Sequence, residues 1–315
     1  MPAALRVDPK DYFTEAEWKR LSVRSSWRGV ALIAHAWIVI FAAMAVAILW
    51  PNPLTILAAI MIIGCRQLGL VILMHDAAHG CIHPNLKVND FVAGWFGGWP
   101  MGANVARYRA YHLQHHKFAQ QPEDPDLSLS SAFPTTRTSL RRKIIRDLTG
   151  QTFYKQRVAP YFQAFSKSRA AGKSHSEAIN GIVSHEWKFL FCNALLLAGL
   201  TAAGAWWAFF VLWLLPMATW QQMITRLRNI AEHACVPDNN DPLRHARTTR
   251  ANLIERAVIA PYWVNYHCEH HMFMHLPCWS LPRAHRLLTA KGVTARMEVR
   301  DGYPGVLASV VTATA

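Results

Sequence analysis

Sixteen histidines occur in the 315 residues, and nine of them fall into pattern. His75 and His79 frame HDAAH. His112, His115 and His116 sit in HLQHH, and His267, His270 and His271 sit in HCEHH, while His233 ends RNIAEH. Residues spaced i, i+3 and i+4 share one helix face, so each group aims its imidazoles at one spot. Neutral imidazole is the commonest protein metal ligand. At this histidine frequency an HxxHH arises by chance about 0.04 times per chain of this length. Two of them beside an HxxxH are therefore a metal-binding signal. Nine imidazoles exceed the needs of one ion. A structural zinc takes four ligands, usually including Cys, and only Cys268 lies inside a box. Two ions with four or five nitrogens each account for the count. Imidazole suits Zn, Cu, Fe and Ni alike, so ligand type alone does not name the metal.

The elements that must carry these groups are read from charge. Lys and Arg number 33 against 19 Asp and Glu, a formal net charge of +14. Residues 29–74 contain only one of these charges, Arg66, and residues 187–225 only Lys188. The remaining basic residues lie in three segments, 1–28, 75–186 and 226–315. That is how a multi-pass membrane protein partitions charge. A nucleic-acid binder would instead carry its basic excess on one folded face without long apolar runs, so no nucleic-acid partner is expected. A disordered chain is excluded by 52% hydrophobic residues, and a disulfide-stapled secreted domain by six Cys in this length.

Each apolar block is long enough to cross a hydrocarbon core of ~30 Å twice. The expected spans are 29–50 and 54–74, joined by Pro51-Asn52-Pro53, then about 187–203 and 205–222, broken at Gly204. Both inter-span turns lack charge, so the positive-inside rule puts both termini and the 75–186 loop in the cytoplasm. The expected fold is all-α integral membrane: four transmembrane helices in two hairpins, with a cytoplasmic helical cap (75–186 and 226–315) holding a di-metal centre. One domain fills 1–315. Residues 91–105 read as an interfacial or re-entrant piece, and the basic, aromatic-interrupted 137–173 either as a surface-lying helix on anionic lipid or as an ordinary solvated charged face. Open, His-rich paired sites at a membrane surface suit oxygen activation by iron; the HExxH of a zinc hydrolase is absent.

Other residues read more plainly. His35, His175, His185 and His245 lie outside the pattern and are expected in structural or surface roles. His83, His275 and His285 lie near the boxes but out of register. Arg66 reads as snorkelling or pairing at the cytoplasmic interface, and Trp95 and Trp99 as members of an interface belt. Asp76, Glu232 and Glu269 adjoin candidate ligands, where carboxylates orient imidazoles or form cap salt bridges.

In this order and spacing HDAAH, HLQHH and HCEHH resemble the three histidine boxes of the integral-membrane fatty acid desaturase family. NYHCEHHMFMHLPCWSLPRAHRLL is similar to that family's third box and tail, and Glu123–Asp126 (EDPD) follows the second box as in bacterial members. The resemblance runs from about residue 30 to 290. It implies four transmembrane helices, a cytoplasmic cap and two Fe held by nine histidines: His75, His79, His112, His115, His116, His233, His267, His270 and His271. It also implies that Asn229, four residues before His233, holds a metal-bound water. The first box has three intervening residues, as in some acyl-lipid and carotenoid-acting members.

The implied activity is O2-dependent attack on an unactivated C–H bond of a fatty acyl or other lipid chain, giving a double bond. Hydroxylation or ketolation of a lipid, alkane, sphingolipid or carotenoid needs the same ligands and is the alternative. A membrane metal transporter would need polar positions through the spans, which are almost purely apolar. No haem, iron–sulfur or flavin motif is present, so electrons are expected from a separate donor such as a ferredoxin or b-type cytochrome with its reductase.

Overall fold

The computed structural model describes residues 6–312, and the chain is predominantly helical. A short helix, α1 (Glu15–Leu21), starts at a Thr14/Glu17 capping box. The long hairpin of α2 (Arg28–Leu49) and α3 (Pro53–Ala78) follows. Its turn is written locally. Asn52 accepts hydrogen bonds from the amides of Leu54 and Thr55 at 3.0 and 3.1 Å, and Pro53 fills the first turn, where no amide partner is required. Gly29, Ile33, Ala36, Ile40, Met44 and Ala47 form the buried stripe of α2, while Ile38, Phe41 and Leu49 point outward. Small residues in that stripe bring the two helices close. From Ile63 onward α3 is buried almost all round. These two helices are long and apolar enough to cross a membrane.

Two segments differ from the expected spans. Residues 187–203 form the distal part of a longer helix that begins in polar sequence, and residues 205–222 are an interrupted helix. The interruption has a local cause: Phe209–Leu214 is wound as a π-helix, Pro216 lacks an amide donor, and Thr219 sits at φ −126°, ψ −82°.

Between the hairpin and these segments, α4 (Leu86–Ala93) runs into a π-helical turn, Gly94–Gly98, and then α5 (Val105–Phe118) carries the second box. The expected single surface helix over 137–173 is divided. It comprises α6 (Arg137–Leu148), a turn at Gly150 with φ +74°, and α7 (Ala159–Ala170). α8 (His175–Ala202) contains the expected third span, and α9 (Trp220–His233) leaves the interrupted one. The rest of the cap is α10 (Leu253–Val258), α11 (His267–Met272), α12 (Leu281–Ala290) and α13 (Gly302–Val310). Two small parallel pairs tie it together: Thr248–Arg250 with Val299–Asp301, and Thr135–Thr136 with Val311–Thr312.

Candidate metal centre

Four helix segments carry the patterned histidines to one place. The end of α3 supplies His75, with His79 at its C-cap. That terminus is held by Arg109, which donates to the carbonyls of Ala77 and Ala78 at 2.9 Å each and pairs with Asp90. A cation satisfying the last carbonyls of a helix also complements its dipole. α9 supplies His233, and its last carbonyls are closed by the buried Arg247, which donates to Ala231 and Ala234 and pairs with Glu298 at 2.9 Å. α5 and α11 contribute three imidazoles each.

The nine rings divide into two groups. Side-chain nitrogens of His75, His79, His112, His116 and His270 lie within 4.8 Å of one another, as do those of His115, His233, His267 and His271. The division cuts through the boxes. In the second box His112 and His116, one turn apart, enter the first group, while His115 enters the other. In the third box His270 separates from His267 and His271. Many Nε2 atoms face each other: His116 to His112 at 2.9 Å and to His270 at 3.0 Å, His267 to His233 at 2.9 Å, His115 to His271 at 3.2 Å.

Outer partners account for this orientation. His115 Nδ1 lies 2.8 Å from Asp124 Oδ1, and His233 Nδ1 donates to the His245 carbonyl at 3.2 Å. His267 Nδ1 lies 3.4 Å from Glu232 Oε1, which also pairs with Arg228 at 2.5 Å. A proton held on Nδ1 leaves the Nε2 lone pair directed inward. Burial, reinforced by neighbouring imidazoles, holds His79, His112, His116, His233, His267, His270 and His271 well below the usual histidine range, so these rings are neutral. Burial also pushes the Glu232 carboxyl up to about 7 despite Arg228. Among the described residues both ring nitrogens of His79 and Nε2 of His75 are buried without a hydrogen-bond partner, while His75 Nδ1 lies 3.5 Å from Asp76 Oδ1. Converging lone pairs and orphaned buried nitrogens are costly alone and are relieved by a cation between them. The site fits two metal ions.

Asn229, one turn before His233, lines a cavity of about 40 Å³ together with His115, His233 and His267. Tyr108 lines the same space and stacks on His112, ring centroids 5.2 Å apart at 13°. Tyr108 also borders a second cavity of about 310 Å³ that includes Asn104, Arg107, His185 and Glu186.

Other residues are placed as follows. Of its two expected roles Glu269 takes that of a cap pair, binding the Thr248 hydroxyl and His285 Nδ1. His285 is thereby part of the cap's support. His245, expected in a structural or surface role, is buried with both ring nitrogens unpartnered, its ring 5.3 Å from that of His271. Arg66 neither snorkels nor pairs with an acid. It is 8% exposed and donates to the carbonyls of Arg256 and Ala257. Asp124 and His245 are the site residues that spacing did not single out; only the EDPD segment pointed near the first. Trp95, Trp99 and Trp187 gather around the Lys188 ammonium, which sits 4.7 Å from the Trp99 ring.

A family model described as fatty acid desaturase matches residues 50–302. The chain is similar to the dihydrorhizobitoxine desaturase of Bradyrhizobium elkanii, 26% identical over 242 residues, covering 76% of this chain and 68% of that protein. It is also similar to the beta-carotene ketolase of Paracoccus sp. (strain PC1), 25% identical over 238 residues, covering 73% and 80% respectively.

Proposed function

Since the chain belongs to the fatty acid desaturase family and is an oxidoreductase acting on lipid-like substrates, we propose that it is an O2-dependent di-iron desaturase of a fatty acyl or related lipid chain. The observation that carries this reading is the division of nine buried imidazoles into groups of five and four. His75, His79, His112, His116 and His270 would hold one iron; His115, His233, His267 and His271 would hold the other. When bound, the irons would supply O2 activation and removal of hydrogen from an unactivated methylene.

The protein's own part is orientation and exclusion of water. Asp124, the His245 carbonyl and Glu232 hold the Nδ1 side of His115, His233 and His267, fixing which nitrogen faces inward. The Asn229 amide, too weak a donor to replace imidazole, holds a water in the small cavity beside the four-histidine group. Substrate approaches past Tyr108. Its ring separates the centre from the larger cavity, whose Arg107, His185 and Glu186 suit a polar end while the reacting chain passes inward.

The whole chain acts as one membrane domain in this reading. α2 and α3 form one hairpin, 187–203 and 205–222 the other, and both termini and the centre face the cytoplasm. Two electrons per turnover come from a separate carrier, a ferredoxin or a b-type cytochrome with its reductase. Similarity to a ketolase as well as to a desaturase favours a second reading, in which the same ligands insert oxygen into a lipid or carotenoid. Lipid mass spectrometry of a host with and without the gene separates them. Loss of two hydrogens from a lipid supports desaturation, gain of one oxygen supports hydroxylation or ketolation, and an unchanged lipid and carotenoid profile in an iron-replete host refutes both.

A further inference from the structure

A cavity of about 560 Å³, lined by none of the nine patterned histidines, lies between α2, α3 and the segment 253–263. One wall is apolar, made by Leu32, Val39 and Ile62. The opposite wall carries Arg66, Arg256 and Tyr262. The Arg66 guanidinium is buried, its Nε has no hydrogen-bond partner among the described residues, and it sits over the Tyr262 ring, 5.3 Å from the centroid. Its partners are two carbonyl oxygens, a thiol and the Tyr262 hydroxyl, none of them an anion. Among the described residues no carboxylate forms an ion pair with it. A desolvated cation without a counter-ion is costly, and in an apolar setting it marks a ligand position.

The surroundings are built to hold that cation open. Tyr262 and Trp263 are consecutive non-glycine residues with φ of +53° and +59°, a conformation that persists only where neighbours enforce it. Tyr262 hydroxyl meets His35 Nδ1 at 3.0 Å. Its ring seats on Gly69, where any Cβ would come within 2.5 Å of it. Leu253 and Ile254, at 81% and 74% exposure, present apolar side chains outward beside the opening.

We propose that this cavity binds one membrane lipid with an anionic headgroup, its phosphate between Arg66 and Arg256 and an acyl chain along Leu32, Val39 and Ile62. Charge complementarity selects the headgroup, since two guanidiniums face a space with no acid, and the apolar wall selects a chain rather than a soluble anion. None of the nine patterned histidines lines the cavity, and in this proposal the lipid is a structural one rather than the substrate. It braces the 253–263 segment, which leads directly into the third box, against the hairpin.

The proposal rests on the reading that α2 and α3 cross a membrane, and the two fail separately. The full chain, purified in mild detergent, is titrated in native mass spectrometry with phosphatidylglycerol, with phosphatidylcholine of the same chains, and with inorganic phosphate. One phosphatidylglycerol per chain is expected, bound at least roughly tenfold tighter than phosphatidylcholine, as charge-assisted hydrogen bonds predict. Arg66→Gln should abolish the preference and Arg66→Lys should retain most of it. Val39→Trp, which fills the apolar wall and leaves the cations untouched, should lose binding of both lipids and covers the case in which Arg66→Gln does not fold. Equal affinity for the two lipids, a preference that survives Arg66→Gln, or saturation by inorganic phosphate in place of lipid overturns the proposal. A chain that stays soluble and monodisperse without detergent overturns the membrane reading instead.

Discussion

His115 Nδ1 and Asp124 Oδ1 lie 2.8 Å apart with both side chains buried, and Asp124 also accepts from the amides of Gln120 and Asp126. The carboxylate is thus fixed by backbone before it fixes the imidazole. Asp124→Asn keeps the shape and removes the charge. It should weaken metal retention at the four-histidine group by about 10–100-fold, the usual cost of losing such a partner, while the five-histidine group keeps its ion. Metal analysis after dialysis against graded chelator measures this, and equal loss from both groups, or from neither, contradicts it.

His233 and Asn229 are one turn apart on α9, yet they should behave differently. His233 Nε2 faces His267 Nε2 at 2.9 Å, so His233→Ala removes a donor from the group of four. About two irons per chain are expected in protein reconstituted anaerobically with ferrous iron, falling to roughly one in His233→Ala with turnover lost. Asn229→Ala should keep both ions and lose most activity. His175→Ala, whose ring starts α8 beside Phe165, should match the wild type in both assays. A His233→Ala variant with full iron content and normal turnover would refute its assignment as a ligand.

What was legible in the sequence follows from distance along the chain. The boxes could be read because i, i+3 and i+4 spacing is a local property of a helix, and each box lies within one helix or at its end. The first hairpin could be read because the Asn52–Pro53 cap and two apolar runs are also local. Asp124 reaches His115 through a turn after α5 that no periodicity encodes. His245 reaches His271 because Arg247 folds the chain back onto the carbonyls of α9. The broken course of 205–222 is equally hidden, since π-helical winding depends on packing as much as on composition. How the boxes are shared between the two groups comes from helix faces meeting in space, so spacing alone left four and five open.

The neutral rings make the metal-free protein sensitive to acid. In the fold, burial keeps His112, His116, His233, His267, His270 and His271 well below the ordinary range and holds His245 down at about 4. Unfolded histidines take up protons near pH 6.5, so below that pH the unfolded state binds more protons and stability falls. Metal-free protein in detergent should therefore be most stable above pH 6.5 and lose stability steadily on acidification. His245→Leu removes one such group and should flatten the slope by about 1.4 kcal/mol per pH unit between 6.5 and 4. Chemical denaturation at several pH values tests it; a stability independent of pH between 7.5 and 5 would mean that the folded rings take up protons in step with the unfolded ones, against this reading.

Residues 137–173 carry ten Lys and Arg against a single acid, Asp147. That acid is buried and already paired with Arg226 at 2.5 Å, so the outward charge of α6 and α7 is almost wholly positive. An acidic electron carrier would be steered to such a face, with a rate that falls as salt screens it. Turnover should need the carrier and its reductase, and its second-order rate constant should drop several-fold between low and physiological ionic strength, where the screening length shortens to about 8 Å. Reversing Arg141 and Arg142 to Glu should lower that rate constant while leaving iron content and the maximal rate at saturating carrier unchanged. Single-turnover reduction by dithionite, which bypasses docking, should be identical in variant and wild type. Turnover sustained by NAD(P)H and the purified chain alone would show that no carrier docks, and an unchanged rate in the Glu variant would place the docking face elsewhere.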